Sequence, residues 1–288
     1  MIDSRTQRVG LIGWPVEHSL SPTMHNAAFA ALGLNWTYVL LPVQPEKVKT
    51  AMQKLVTKGF RGANVTIPHK RAVMPYLDSV SDAAQAIGAV NTIVLRQEKL
   101  HGQNTDALGF LAALREGGFD PAGKQALILG AGGAARAVVY ALAQAGCTVA
   151  IFNRTTRRAA ELAHDVVRQV SGAIATWVPR NASLGELPLS DFDLLVNGTP
   201  LGMWPHVESS PWPEDLPLPP HLTVFDLVYH PRRTKLLAKA HAAGARTIGG
   251  LEMLVHQGAL AFELWTGQQP PLAVMRAACE QALKAKEE

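Results

Sequence analysis

Cysteine is nearly absent from this chain: of 288 residues only Cys147 and Cys279 are cysteines, far apart and outside any CxxC pattern. That excludes a disulfide framework and a cysteine zinc site, and leaves both thiols as core filling. Long apolar runs are missing as well. None approaches the roughly 20 residues of a membrane span, and the opening MIDSRTQRVGLIG lacks the basic-then-apolar layout of a secretory leader. No membrane partner is expected, and a cytoplasmic location is. Charged residues make up only 17% but hydrophobic ones 48%, with no long polar tract, which excludes a disordered chain. The formal net charge of +4 is scattered, with Arg157-Arg158 and Arg232-Arg233 as local pairs, so no nucleic-acid partner is expected. A mild positive balance suits a small anionic ligand, since a few arginines in one cleft hold a phosphate or carboxylate.

What is present is regular alternation. RVGLIGW, WTYVLLPV and RGANVTI read as strands, and the segments between them read as helices that begin at proline and end at glycine: SPTMHNAAFAALGL and PEKVKTAMQKLVTKG. In the first of these, Ser21 suits an N-cap and Pro22 the first helical position. Such βαβαβ order predicts a parallel sheet. AVNTIVLRQ and KLHGQNTD predict two strands joined by a short turn, then ALGFLAALREGG a helix, with a domain boundary near Asp106. From Lys124 a second series begins: strands KQALILG, TVAIFN, FDLLVNG and TVFDLVY, with helices AARAVVYALAQAG and RRAAELAHDVVRQV, predicting a doubly wound α/β sheet. The proline-dense WPHVESSPWPEDLPLPP, from Trp204, reads as an extended surface loop, and the chain ends in helices.

The glycine turn in LILGAGGAARA follows an apolar strand and opens a helix, in the order a dinucleotide site requires. Gly130, Gly132 and Ala135 fill its three positions; backbone N–H groups there can approach a pyrophosphate. At the end of the next strand, where an NAD site carries a carboxylate, the chain has Asn153 and Arg154, with Thr155 and Arg158 close by. These groups can bind a 2′-phosphate, so NADP is the expected cofactor.

Polar residues gather at the strand ends of the first half: Ser19 and Ser21, then Asn64, Thr66 and Lys70 in NVTIPHK, Asn91, and Asn104-Thr105-Asp106. In an open α/β sheet ligands sit outside the carboxyl ends of strands, and these hydroxyls, amides and one charged pair suit a polyol acid. His18, His25 and His69 have no zinc-ligand spacing, and no metal is expected.

HSLSPTMHN, NVTIPHK, GAVNTI, GQNTD, GAGGAARA, NRT, FDLVYHPRRTKLL and GLEMLVHQGALAFELWTG, in this order, resemble the shikimate dehydrogenase family over almost the whole chain. The resemblance implies NADP-linked interconversion of 3-dehydroshikimate and shikimate, in the biosynthesis of chorismate and aromatic amino acids. It implies Lys70 and Asp106 at the reacting centre, with the carrier of the transferred proton left open. It implies substrate contacts from Ser19, Ser21, Asn64, Thr66, Asn91, Tyr229 and Gln257, and a cofactor lining from Gly130, Ala131, Gly132, Gly133, Ala134, Asn153, Arg154, Thr155, Arg158, Leu227 and Gly250. The implied architecture is an N-terminal α/β substrate domain with a mainly parallel sheet (residues 1–105), a Rossmann-type NADP domain (106–250), and final helices returning to the first domain (251–288).

The chain departs from the family pattern at Ala107, where glycine is common, and at Leu227, where methionine is frequent beside the nicotinamide. Two rival readings stay open: oxidation of quinate, which differs by one ring hydroxyl, and a non-catalytic sensor on the same fold. The retained Lys70 and Asp106 argue against the sensor. A homodimer is compatible with the sequence, which does not fix the oligomeric state.

Overall fold

Short apolar runs, most of them followed by a helix that ends near a glycine, build two separate α/β units. The computed structural model describes residues 4–179 and 182–287. One unit comprises the described residues up to Gly109 together with those from Val255; the other is Phe110–Leu254.

In chain order the first unit contains β1 (Gln7–Gly13), α1 (Ser21–Ala31), β2 (Trp36–Pro42), α2 (Val48–Thr57), β3 (Phe60–Val65), β4 (Ser79–Val80), α3 (Asp82–Ile87), β5 (Thr92–Arg96) and β6 (Lys99–Gln103), and α4 (Asp106–Glu116) starts within it. Its sheet runs β2-β1-β3-β5-β6-β4, with β1, β2 and β3 parallel and the β5–β6 hairpin antiparallel. Gln97 and Glu98 close that hairpin at positive φ, 50° and 62°.

Strand side chains alternate between faces, and this alternation positions the site. Ile12, Ala63, Val65 and Ile93 point into one core with Val48, Met52 and Leu55 of α2, with Val39 and Leu41 packed against it. Tyr38, Asn64 and Thr92 therefore share the other face. There the ring of Tyr38 meets His25 from α1 and Trp265 from the C-terminal part of the chain, and Phe29 and Phe262 complete an aromatic cluster. Gly62 makes room for it: a Cβ there would lie 2.2 Å from Ile93 O and 2.4 Å from the Trp265 indole nitrogen.

The second unit follows with β7 (Gln125–Leu129), α5 (Gly133–Gln144), β8 (Thr148–Phe152), α6 (Thr156–Gln169), β9 (Ala175–Trp177), β10 (Leu194–Asn197), β11 (Thr223–Asp226), α7 (Lys235–Ala242) and β12 (Arg246–Gly249). Then come α8 (Gly250–Thr266), which runs back into the first unit, and α9 (Leu272–Glu287), which packs on α1. The second sheet, β12-β11-β10-β7-β8-β9, is parallel throughout. This is the doubly wound strand order, with its topological switch between β7 and β10. The expected fold class, α/β with mainly parallel sheets, is what the chain adopts.

Three readings need correction. The proline-dense segment is not simply a surface loop: Trp212 and Leu218 are buried with Leu127, Leu195 and Val224, and Trp212 Nε1 donates to Leu216 O at 2.9 Å. It covers a sheet face that a crossover helix would otherwise cover. Ser21 is the first residue of α1 rather than its cap; Ser19 Oγ accepts the Ser21 N–H at 3.2 Å instead. Ile67, included in the strand read from RGANVTI, lies outside it and is 59% exposed, because pairing in β3 ends at Val65 and the chain turns away. Both cysteines are buried, as expected, and burial pushes each thiol up to about 12. Among the described residues no helix is long and apolar enough to cross a membrane.

Candidate active site

Lys70 is delivered by the turn that follows β3. His69 is buried and its Nε2 lies 2.6 Å from Val43 O, while its N–H donates to Thr66 O, so the turn is fastened beside β2. The Lys70 carbonyl accepts the Val90 N–H at 2.8 Å, which fixes the lysine next to Asn91. Its ammonium reaches Asp106 Oδ2 at 2.5 Å, with side-chain exposures of 13% and 6%. Asp106 opens α4, where a carboxylate complements the positive helix end. Asn104 Oδ1 accepts the Ala107 N–H, and Asn104 Nδ2 donates to Ala89 O.

Asn91 binds the pair from the other side. Its Nδ2 donates to Asp106 Oδ1 at 2.9 Å and to Thr105 Oγ1 at 2.9 Å, with Gln257 Oε1 at 3.3 Å, while its Oδ1 accepts the Thr105 N–H at 2.7 Å. Asn64 donates to Asn91 O and Thr92 Oγ1 and accepts from Tyr38 Oη at 2.9 Å. Thus Lys70, Asp106, Asn64, Asn91 and Gln257 meet in one network, which a sequence spread over nearly two hundred positions does not reveal. Gly109 permits the approach of Gln257: a Cβ there would stand 2.7 Å from the Gln257 backbone. Ser19 and Ser21 pair with each other at 3.2 Å at the start of α1, and Thr66 is half-buried beside the Lys70 turn. Tyr229 belongs to the second unit, where it is half-buried beyond β11.

In the second unit the glycine turn has the shape of an anion cradle. Gly130 has φ 110°, and a Cβ on it would come within 3.0 Å of Thr199 Cγ2. Ala135 lies against Gly198, whose own Cβ would be 3.0 Å from the Ala135 methyl, so helix and strand end touch. Gly132 is different: it has ordinary negative φ, and a Cβ there would meet nothing. Neither fold nor conformation requires that glycine, whereas a ligand approaching the N-terminus of α5 does. No described side chain caps that helix end, so none competes for the N–H groups of its first turn, where Ala131 to Ala134 lie.

The start of α6 also lacks a side-chain cap, and its first turn carries cations and no acid. Asn153 Nδ2 donates to Thr155 O, which shapes the loop. Arg154 and Arg158 are exposed and form no ion pair with a described residue, whereas neighbouring Arg157 faces Glu161 at 3.5 Å. Two unpaired guanidiniums at a helix N-terminus oppose the helix dipole, and a phosphate group would resolve that conflict. On the opposite side of the switch point, Gly250 packs into backbone: its Cβ would lie 2.2 Å from Leu227 O.

Three family models match segments of the chain: the shikimate dehydrogenase substrate binding domain over residues 11–93, shikimate / quinate 5-dehydrogenase over 112–176, and the shikimate 5′-dehydrogenase C-terminal domain over 250–280. A shikimate dehydrogenase (NADP(+)) of Moorella thermoacetica is 52% identical over 286 residues, covering 99% of this chain and 96% of the relative. The chain belongs to the shikimate dehydrogenase family. Among solved structures, a shikimate dehydrogenase in complex with NADP+ superposes with a TM-score of 0.91 at 40% identity, covering 98% of each chain. The shikimate 5-dehydrogenase of Thermus thermophilus, in complex with NADP(H) and shikimate, gives 0.85 at 42% identity, covering 96% of this chain and 100% of the other.

Within this shikimate dehydrogenase fold, sequence reasoning passed over three polar residues. Tyr38 and Thr92 read as ordinary strand formers, yet both hydroxyls bond into the network around Asn64 and Asn91. Asp226, in FDLVY, is fully buried at the end of β11 and accepts from Asn197 Nδ2, the Val228 N–H and Thr234 Oγ1. Burial pushes its carboxyl up to about 6, against the opposing pull of those three neutral donors. An acid in the middle of an apolar strand run was the available signal.

Proposed function

We infer that this chain catalyses the reversible NADPH-linked reduction of 3-dehydroshikimate to shikimate, a step toward chorismate and the aromatic amino acids. Family membership carries the activity; the 2.5 Å contact between Lys70 and Asp106 inside a buried amide network is the observation that supports this site as its seat. The bound dinucleotide supplies or takes up a hydride at the substrate carbon. Hydride arriving at a ketone leaves negative charge on its oxygen, so a proton must reach that oxygen; in reverse, a base must take the hydroxyl proton. Lys70 and Asp106 are the pair that carries it. Ser19, Ser21 and Tyr229 hold the carboxylate, and Asn64, Thr66, Asn91 and Gln257 address the ring hydroxyls.

The residues of the second unit fit NADP. The uncapped start of α5, with open space before Gly132, takes the pyrophosphate, and Asn153, Arg154, Thr155 and Arg158 take the 2′-phosphate. Leu227 and Gly250 form the wall beside the nicotinamide. The first unit is thus the substrate domain and the second the cofactor domain. We take the enzyme to work in the cytoplasm, where its cofactor is reduced.

Comparing kcat/KM for shikimate and quinate, each with NADP and NAD, tests the reading. Highest efficiency with shikimate and NADP is expected; preference for quinate, or tight ligand binding with no NADPH formed, would overturn it.

A further inference from the structure

On the polar face of the first sheet four hydrogen bonds run one way in series. Tyr38 Oη donates to Asn64 Oδ1 at 2.9 Å, Asn64 Nδ2 to Thr92 Oγ1 at 3.0 Å, Thr92 Oγ1 to Asn91 Oδ1 at 3.1 Å, and Asn91 Nδ2 to Asp106 Oδ1 at 2.9 Å. The chain ends at the carboxylate that also receives Lys70.

We propose that the hydroxyls of Tyr38 and Thr92 are positioning groups for the reaction, holding the Asn64 amide as an acceptor toward substrate and the Asn91 amide as a donor toward Asp106. This deepens the functional reading above and rests on it. An amide can present either end to a ligand, and its neighbours decide which. Both N–H bonds of Asn64 are used, on Asn91 O at 3.2 Å and on Thr92 Oγ1. A flip would set Asn64 Oδ1 against that carbonyl, two acceptors face to face. Oδ1 is therefore turned to Tyr38, and what Asn64 can still offer is the remaining lone pair, an acceptor for a substrate hydroxyl.

Asn91 is fixed by the same logic. Its Oδ1 faces the Thr105 N–H at 2.7 Å and the Thr92 hydroxyl, which turns its amide nitrogen to Asp106 Oδ1, with Thr105 Oγ1 and Gln257 Oε1 also in reach. The Thr92 hydroxyl accepts from Asn64 Nδ2 and lies 3.1 Å from Asn91 Oδ1 and 3.2 Å from Thr105 Oγ1; given to Asn91, its one hydrogen couples the two amides. Tyr38 is held in turn by the imidazole of His25, stacked at 4.5 Å between centroids and 2° between planes. These residues are buried, so water cannot substitute for a lost partner.

The test compares Tyr38→Phe, Thr92→Val and Thr92→Ser with the parent enzyme in steady-state kinetics on shikimate and NADP, alongside NADP titration and thermal melting. Tyr38→Phe is expected to raise KM for shikimate about tenfold with kcat within about threefold. Thr92→Val is expected to lower kcat about tenfold or more, and Thr92→Ser, which keeps the hydroxyl, to recover it within about threefold. NADP affinity should be unchanged in all three. Parent-like kinetics in Tyr38→Phe and Thr92→Val, beside clear losses in Lys70→Ala and Asn64→Ala, would overturn the positioning role and leave the site reading standing. So would losses that follow the melting temperature and reduce NADP affinity in parallel, or a folded Thr92→Ser that fails to recover. Near-normal turnover in Lys70→Ala and Asn64→Ala would overturn the site reading and the positioning with it.

Discussion

Lys70 Nζ lies 2.5 Å from Asp106 Oδ2, and neither side chain has much contact with solvent. Thirty-six positions apart in sequence, the two meet because β3 ends one residue before the turn that carries Lys70 inward, while α4 begins at Asp106. A lysine so placed has a partner for its charge and a route for its proton. Lys70→Ala is expected to lower kcat about 10²- to 10⁴-fold, the usual loss for a general acid or base, with a smaller change in KM. Steady-state assays on shikimate and NADP check it, and near-normal turnover would count against the assignment.

The exposed guanidinium of Arg154, which forms no ion pair with a described residue, stands just past the end of β8, beside the uncapped start of α6. A 2′-phosphate gives such a cation its counter-charge, and NAD has no such group. Arg154→Ala should therefore raise KM for NADP at least about tenfold, the loss of one charge-assisted contact, while leaving KM for NAD nearly unchanged. Equal losses with both cofactors would contradict the role.

The long elements were legible because each leaves a local mark: periodicity, proline and glycine at helix ends, and a glycine turn after an apolar strand; the meeting of Lys70 with Asp106 leaves no such mark. Short strands that are partly exposed leave none. β9 and β12 have three and four residues, and both are partly exposed, so only pairing with a neighbour makes them strands. Trp212 and Leu218 sit among prolines that advertise a loop, although their side chains complete a core. Tyr38 and Thr92 were concealed for the opposite reason: strand propensity accounted for them, and nothing local says that alternation turns both hydroxyls toward Asn64.

His25 is fully buried among rings, and neither of its nitrogens has a hydrogen-bond partner among the described residues. Burial lowers its pKa from 6.5 to about 3, so the folded protein keeps it neutral while the unfolded chain protonates it below about 6.5. Between those values the unfolded state binds the extra proton, and stability falls as pH falls, by about 1.4 kcal/mol per unit from this group. A His25→Phe variant should lose that dependence. Urea unfolding of both proteins from pH 7 to pH 4 checks it; parallel stability curves would refute the assignment.

Asp226 works in the other direction. Its carboxyl is raised to about 6 in the fold, from 3.8, because burial outweighs the donors from Thr234, Val228 and Asn197. Between about 4 and 6 the folded state holds the extra proton, so this group favours folding at low pH, and that contribution is lost as pH rises through 6. In Asp226→Asn the amide oxygen can still accept from Asn197 and Val228, and the amide N–H can reach the Thr234 hydroxyl, which keeps the loops after β10 and β11 tied. The variant's stability relative to the parent should thus improve from pH 4 to pH 6 by about 1.4 kcal/mol per unit and then level off. His25→Phe gains in the opposite sense, toward acid, over an overlapping range. One series of unfolding curves on the two variants separates the groups by sign alone, and a common sign for both would show that at least one is charged in the fold where its burial says it is neutral.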